Sequence, residues 1–186
     1  MADWFDRIDE RLAAFIEAQH IFFVATAPTA ANGGLINLSP KGRTLLHVLG
    51  PKKGGYLAYP GSGNETAKHT EENGRITLML CSFDATAMIL RLYGRGRRVD
   101  LDDPELLEHR ETFHADFHPY VRQAFIVDVE KVQTSCGYAV PRMDFVEDRE
   151  TLDKWCVNKT IPREMVDGLP QPGRFEKKDG TLLAER

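Results

Sequence analysis

The period of apolar positions along this chain changes several times, and each change marks an element. Residues 3 to 19 place Trp4, Phe5, Ile8, Leu12, Phe15 and Ile16 on one face of a helix, with Asp6, Asp9, Glu10 and Glu17 elsewhere, which predicts an amphipathic opening helix. The run from Ile21 to Ala27 is too short and too rich in β-formers for another helix, and Pro28 stops it, so it reads as a buried strand. Asn32-Gly33-Gly34 tolerates positive φ and predicts a turn into a second strand over Leu35 to Ser39, ended by Pro40. Strands at 44–49 and 55–59, separated by Gly50-Pro51-Lys52-Lys53-Gly54, continue a meander.

The pattern then turns helical over 64–73, with Asn64 as N-cap and Gly74 as stop. Strand character resumes over 76–83 and 87–99, where Gly94 and Gly96 predict a bulge or a barrel bend. Residues 104–113 read as helical, 124–134 as a half-buried strand and 150–158 as a late helix. Beyond Pro162, prolines, glycines and charges outnumber apolar residues, which predicts an extended arm or frayed end. Six or seven short strands with few helices make the expected fold mainly β, a β barrel with helical additions. We expect one domain over 1–160, its N-terminal helix included, and a C-terminal extension over 161–186.

Composition narrows the function. A formal charge of -4 leaves no clustered basic surface beyond Arg95-Gly96-Arg97-Arg98, so a dedicated nucleic-acid binder is excluded. Cys81, Cys136 and Cys156 are widely spaced and fit neither a disulfide framework nor a Cys-x-x-Cys metal site. The opening residues lack a basic start followed by an apolar run, and no stretch is apolar enough to span a membrane, so a cytoplasmic protein without membrane partners is expected.

Two segments carry candidate chemistry. Asn37-Leu38-Ser39-Pro40-Lys41-Gly42 offers a hydroxyl, a rigid turn, an ammonium and a glycine, able to approach an electron-rich ring carbonyl or an anion, or else an ordinary exposed turn. In Gly61-Ser62-Gly63-Asn64-Glu65-Thr66-Ala67-Lys68 a glycine-bearing loop runs into a helix start, which suits a phosphate cradle or a capped surface helix. It lacks the spacing of a P-loop. His109, His114 and His118 have no carboxylate or cysteine at a spacing that completes a metal site, so they read as surface or dimer-contact residues. Cys136 has no positive neighbour in sequence to activate it, and Trp155 reads as a helix anchor.

Taken in order, Phe22-Phe23-Val24-Ala25-Thr26, Asn37 to Gly42, Asn64 to His69, Arg75 to Leu80 and Leu92 to Gly96 resemble the pyridoxamine-phosphate-oxidase-like FMN-binding family over about residues 10 to 135. Gln133 to Pro141 is similar to the C-terminal portion of one branch of it. The resemblance implies an FMN-binding split barrel that forms a homodimer, with FMN in two clefts shared by both chains. It implies Ser39, Lys41 and Gly42 near the isoalloxazine ring and Asn64, Thr66 and Lys68 at the phosphate. A cation at the pyrimidine edge stabilises the charge that appears on reduction, which gives Lys41 a mechanistic reason, and hydride would pass to or from flavin N5.

The implied activity is an FMN-dependent oxidoreductase acting on a small molecule, with electrons from NAD(P)H or from the substrate itself. The same scaffold also accommodates a non-enzymatic flavin- or haem-binding module for sensing or storage, and a deazaflavin-dependent reductase. Two departures matter. The chain ends Gly180 to Arg186 without the Arg-Leu-x-Pro type signature of the authentic oxidase, which argues against vitamin B6 oxidation. The phosphate segment Asn64-Glu65-Thr66 is also poor in cations, and Glu65 adds a negative charge.

Overall fold

The computed structural model describes residues 2–31, 33–61 and 63–180. Asn32 of the expected turn, Ser62 of the glycine loop and the end of the C-terminal extension, 181–186, lie outside the described residues. The elements in chain order are β1 (Ala2–Phe5), α1 (Glu10–Glu17), β2 (Phe22–Thr26), β3 (Asn37–Lys41), β4 (His47–Gly50), β5 (Lys53–Ala58), α2 (Glu65–Asn73), β6 (Arg75–Cys81), β7 (Met88–Val99), α3 (Pro104–Glu108), α4 (Arg110–Phe113), β8 (Gln123–Cys136), α5 (Thr151–Lys159), β9 (Met165–Val166) and β10 (Leu169–Pro170).

One antiparallel sheet runs in the order β3-β2-β6-β7-β8-β5-β4, with β1 added to β8. Strands β2 and β5 are separated in that order by β6, β7 and β8, yet the rings of Phe22 and Tyr56 meet edge to face at 5.1 Å. The sheet is therefore rolled up on itself, as a split barrel. Leu12, Phe15 and Ile16 on the buried stripe of α1 close one cluster with Phe22, Val24, Tyr56, Leu78 and Phe125. A second cluster, which includes Leu57, Leu106, Phe113, Val121 and Ile126, lies on the other face of β5 and β8. Alternation divides each of these two strands between the clusters: Tyr56 and Phe125 face one, Leu57 and Ile126 the other.

The bulge expected at Gly94 is present, with the β7/β8 register shifting between Tyr93 and Gly94. A Cβ on Gly94 would collide with the carbonyl oxygen of Asp128, so the strands approach this closely only without a side chain. Gly74 ends α2 in the left-handed region, φ 70°, and its N–H bonds the Thr70 carbonyl at 2.9 Å.

Three expectations shift. The opening helix is only α1, because Ala2–Phe5 instead form a strand that pairs with Val132–Ser135, the far half of long β8 that β5 leaves uncovered. Asp9 starts α1 by accepting a 2.8 Å bond from the Leu12 N–H. Strand β3 extends through Pro40 to Lys41, which an edge strand permits because its outer side needs no N–H. The helical stretch expected over 104–113 breaks at His109 into α3 and α4.

The segment after α5 is tied to the barrel. Thr160 is fully buried and bridges to Lys177, and β9 and β10 form a hairpin turned by Asp167 and Gly168, whose φ values are 50° and 77°. Arg163 anchors it, donating to the carbonyls of Val121 (2.9 Å), Arg122 (3.1 Å), Gln171 (3.0 Å) and Gly173 (2.8 Å) and lying 5.6 Å over the Phe175 ring. We refer to residues 160–177 as the strap. Among the described residues no helix is long and apolar enough to cross a membrane.

Candidate functional site

The first turn of α2 organises the expected site residues, and it divides them. Asn64 stands at the N-cap position but its side chain does not cap the helix; its Oδ1 accepts from Gln123 Nε2 at 2.8 Å. The leading N–H groups of α2 thus have no side-chain acceptor from Asn64, and the Glu65 carboxylate lies against Gly63 at the same end of the helix.

On one side lies β3. Alternation turns Asn37, Ser39 and Lys41 to the same, half-buried face, with Leu38 and Pro40 exposed. Asn37 Nδ2 donates at 3.0 Å to both Thr26 Oγ1 and Thr66 Oγ1, and Thr26 Oγ1 pairs with His69 Nδ1 at 3.0 Å. Thr66 is therefore a buried link between β3 and α2, its hydroxyl accepting from Asn37. Two positions further along, the Ser39 hydroxyl is buried without a hydrogen-bond partner among the described residues. Burial pulls the Lys41 ammonium below its ordinary value, and the charge of Glu65 opposes that pull. An uncompensated hydroxyl and a desolvated cation on one strand face are what a polar ring edge or an anion would satisfy. Gly42 follows, exposed, with room for a ligand to approach: a Cβ there would meet only the His20 carbonyl at 3.7 Å.

On the other side is a cavity of about 1030 Å³. Asn64 and Lys68 line it together with Arg98, Arg122, Arg163 and Arg174, and three carboxylates, Glu71, Asp100 and Asp102, face the same space. Arg98 is neutralised by Glu71 at 3.0 Å and Asp100 at 2.6 Å, and Arg163 is occupied by its carbonyls. Lys68 and Arg174 have no ion pair among the described residues. The structure thus brings Ser39, Lys41 and Thr66 together on the β3 side, and Asn64 and Lys68 together in the cavity.

Sequence reasoning did not find the four arginines. They lie far apart in the chain, Arg98 in the basic run at the end of β7, Arg122 before β8 and Arg163 and Arg174 in the strap, and only the fold assembles them. A usable signal was present for the strap: Asp167-Gly168 between Met165-Val166 and Leu169 is an Asp-Gly hairpin turn.

A further polar cluster surrounds Arg43, whose φ of 72° is left-handed. It bonds Asp153 of α5 at 3.2 Å and lies 5.7 Å over the Tyr59 ring. Burial pushes the Tyr59 phenol up to about 12. His47 Nε2 pairs with Asp116 at 2.7 Å nearby. These contacts dock α5 and the residues around Asp116 onto the β3–β4 loop.

Comparison with known proteins bears on the same regions. Residues 8–136 match the family described as pyridoxamine 5'-phosphate oxidase. The chain is 36% identical over 177 residues to the pyridoxamine 5'-phosphate oxidase family protein ustO of Aspergillus flavus, covering 94% of this chain and 67% of that one. Among solved structures, HupZ of Group A Streptococcus aligns with a TM-score of 0.53 and 19% identity, over 67% of this chain and 91% of that one. A single-substitution variant of HupZ gives a TM-score of 0.54 at 18% identity, over 69% and 99% of the two chains.

Proposed function

This chain belongs to the pyridoxamine 5'-phosphate oxidase family, and from that premise we propose that it is an FMN-dependent oxidoreductase acting on a small molecule as a homodimer. What carries the reading is the pair of surroundings on either side of α2's first turn: an unpartnered Ser39 hydroxyl beside the desolvated Lys41, and a cationic cavity holding Asn64 and Lys68. The residues present fit the cofactor. Ser39, Lys41 and Gly42 would meet the ring system and Asn64 and Lys68 the phosphate, with Thr66, on the β3 side of α2, standing between the two. Bound FMN would supply hydride transfer at N5. The protein's own part is positioning: Asn37 fixes Thr66, Gln123 fixes Asn64, and Lys41 holds a proton and a positive charge where the ring gains negative charge.

Support for the homodimer comes from exposed apolar residues beside β3 and in the arm after β8. Leu35, Ile36, Leu38, Tyr138, Phe145 and Val146 are each at least half exposed, more apolar surface than scattered single residues would leave. Phe145 stacks on His20 at 3.8 Å, which sets the arm beside Gly42. Sedimentation should give a dimer, and a monomer at working concentration removes that part.

The decisive test is a visible spectrum of the purified protein, after reconstitution with FMN, followed by anaerobic NAD(P)H addition. We expect flavin absorbance that bleaches. A flavin spectrum that no donor or substrate alters supports a binding module instead, and a protein that cannot be reconstituted sinks the cofactor assignment. Lys68→Ala should weaken FMN retention, and unchanged affinity removes Lys68 from the phosphate site.

A further inference from the structure

The loop at Asn64 carries too few cations for a dianion, and the cavity shows where more of them are. We infer that the strap completes the anion site: Arg174, held in place by Arg163, acts with Lys68 to bind the phosphate of the ligand from the side opposite α2. This rests on the proposed FMN reading for the identity of the ligand, but the site itself is drawn from the strap.

Three observations carry it. Arg174 and Lys68 line the same cavity, from strap and helix respectively, and neither has an ion pair among the described residues. The backbone on both sides of Arg174 is fixed, because the Gly173 carbonyl accepts from Arg163 at 2.8 Å and the buried Phe175 ring lies under the same guanidinium. A planar guanidinium presented from a fixed backbone loses little freedom on binding, and its fork matches two phosphate oxygens. Finally, the carboxylates that share the cavity are partly consumed, Glu71 and Asp100 by Arg98, so the field left at the centre is positive. Arg163 is a positioning residue: four of its five donors are spent on carbonyls, and its effect reaches the ligand through Arg174.

The test uses the full chain and three probes: FMN, riboflavin, which lacks the phosphate, and inorganic phosphate. Arg174 is exposed, so Arg174→Gln should fold normally. We expect it to weaken FMN and inorganic phosphate each by about tenfold while leaving riboflavin affinity unchanged, with Arg174→Lys restoring part of the loss. Lys68→Gln should do the same. If wild type binds phosphate but not FMN, and Arg174→Gln abolishes the phosphate binding, the anion site stands and the flavin reading falls. If Arg174→Gln leaves FMN and phosphate affinity at the wild-type value while Lys68→Gln weakens both, the strap is no part of the site and the flavin reading survives. If neither substitution changes phosphate binding, the inference is overturned outright.

Discussion

The barrel interior and the strap both end in buried aromatic rings, yet different forces hold them. Phe22, Tyr56 and Phe125 are 2% exposed or less and sit on paired strands within one continuous apolar cluster. In the strap Pro170 and Phe175 are the buried apolar residues, and position is set by carbonyl oxygens gathered on one guanidinium. Apolar burial adds up over the whole interior, whereas each strap bond replaces one that water would make, with a net value of about 1 kcal/mol. The barrel should therefore unfold as a unit and the strap should open well below that free energy. The cavity wall on α2 thus rests on the fixed barrel, while the wall in the strap is held in the folded state by Arg163 at a smaller free energy.

The largest effect should come from breaking the fixed side. Phe22→Ala removes a ring packed against Tyr56 and should cost about 3–5 kcal/mol in global unfolding, read by denaturant titration. Arg163→Ala comes next, at about 2–3 kcal/mol, because it strands partly buried carbonyls and frees Phe175. Its signature is local. Hydrogen exchange should rise across 160–177 while the midpoint of barrel unfolding moves little. If instead Arg163→Ala lowers the global midpoint as Phe22→Ala does, without selective exchange in the strap, the two regions form one cooperative unit and the contrast fails.

That contrast also explains what was legible in the sequence. β2, β6, β7 and β8 follow from alternation and short apolar runs because their residues face a core on one side or both, and burial is what writes such patterns. β1 has no such signature: Ala2, Asp3 and Trp4 are exposed, and the partner that makes them a strand lies more than a hundred residues away. Ser39, Lys41, Gly42, Asn64, Thr66 and Lys68 were singled out through motif order, but the division of them by α2 was not, since it depends on which face of β3 meets the helix. The cavity arginines were invisible for a related reason. Arg98, Arg122, Arg163 and Arg174 each resemble a solvated charge until the fold closes them around one space.

Within the strap, the hairpin turn offers a smaller lever. Asp167 has φ 50°, a conformation that Asp tolerates better than Ala, so Asp167→Ala should cost about 1 kcal/mol. Only strap amides should exchange faster. A change spread over β7 and β8 would show that the hairpin helps hold the barrel.

The smallest effect separates the two sides of α2 by their response to pH. A guanidinium keeps its charge across the working range, whereas burial lowers the Lys41 pKa from the ordinary 10.5. The folded protein then binds fewer protons than the unfolded chain in the window between the lowered value and 10.5, so stability rises with pH through that window. A bound group that accepts charge from Lys41 acts in the opposite sense: it favours the protonated form and raises the pKa. FMN affinity should consequently fall as pH climbs through the lowered Lys41 value, by less than about tenfold for a half-buried site. Lys41→Met should flatten that limb of the profile, and Arg174→Gln should shift the whole curve down without changing its shape. A limb that persists in Lys41→Met would assign the titration to another group and leave Lys41 away from the ring.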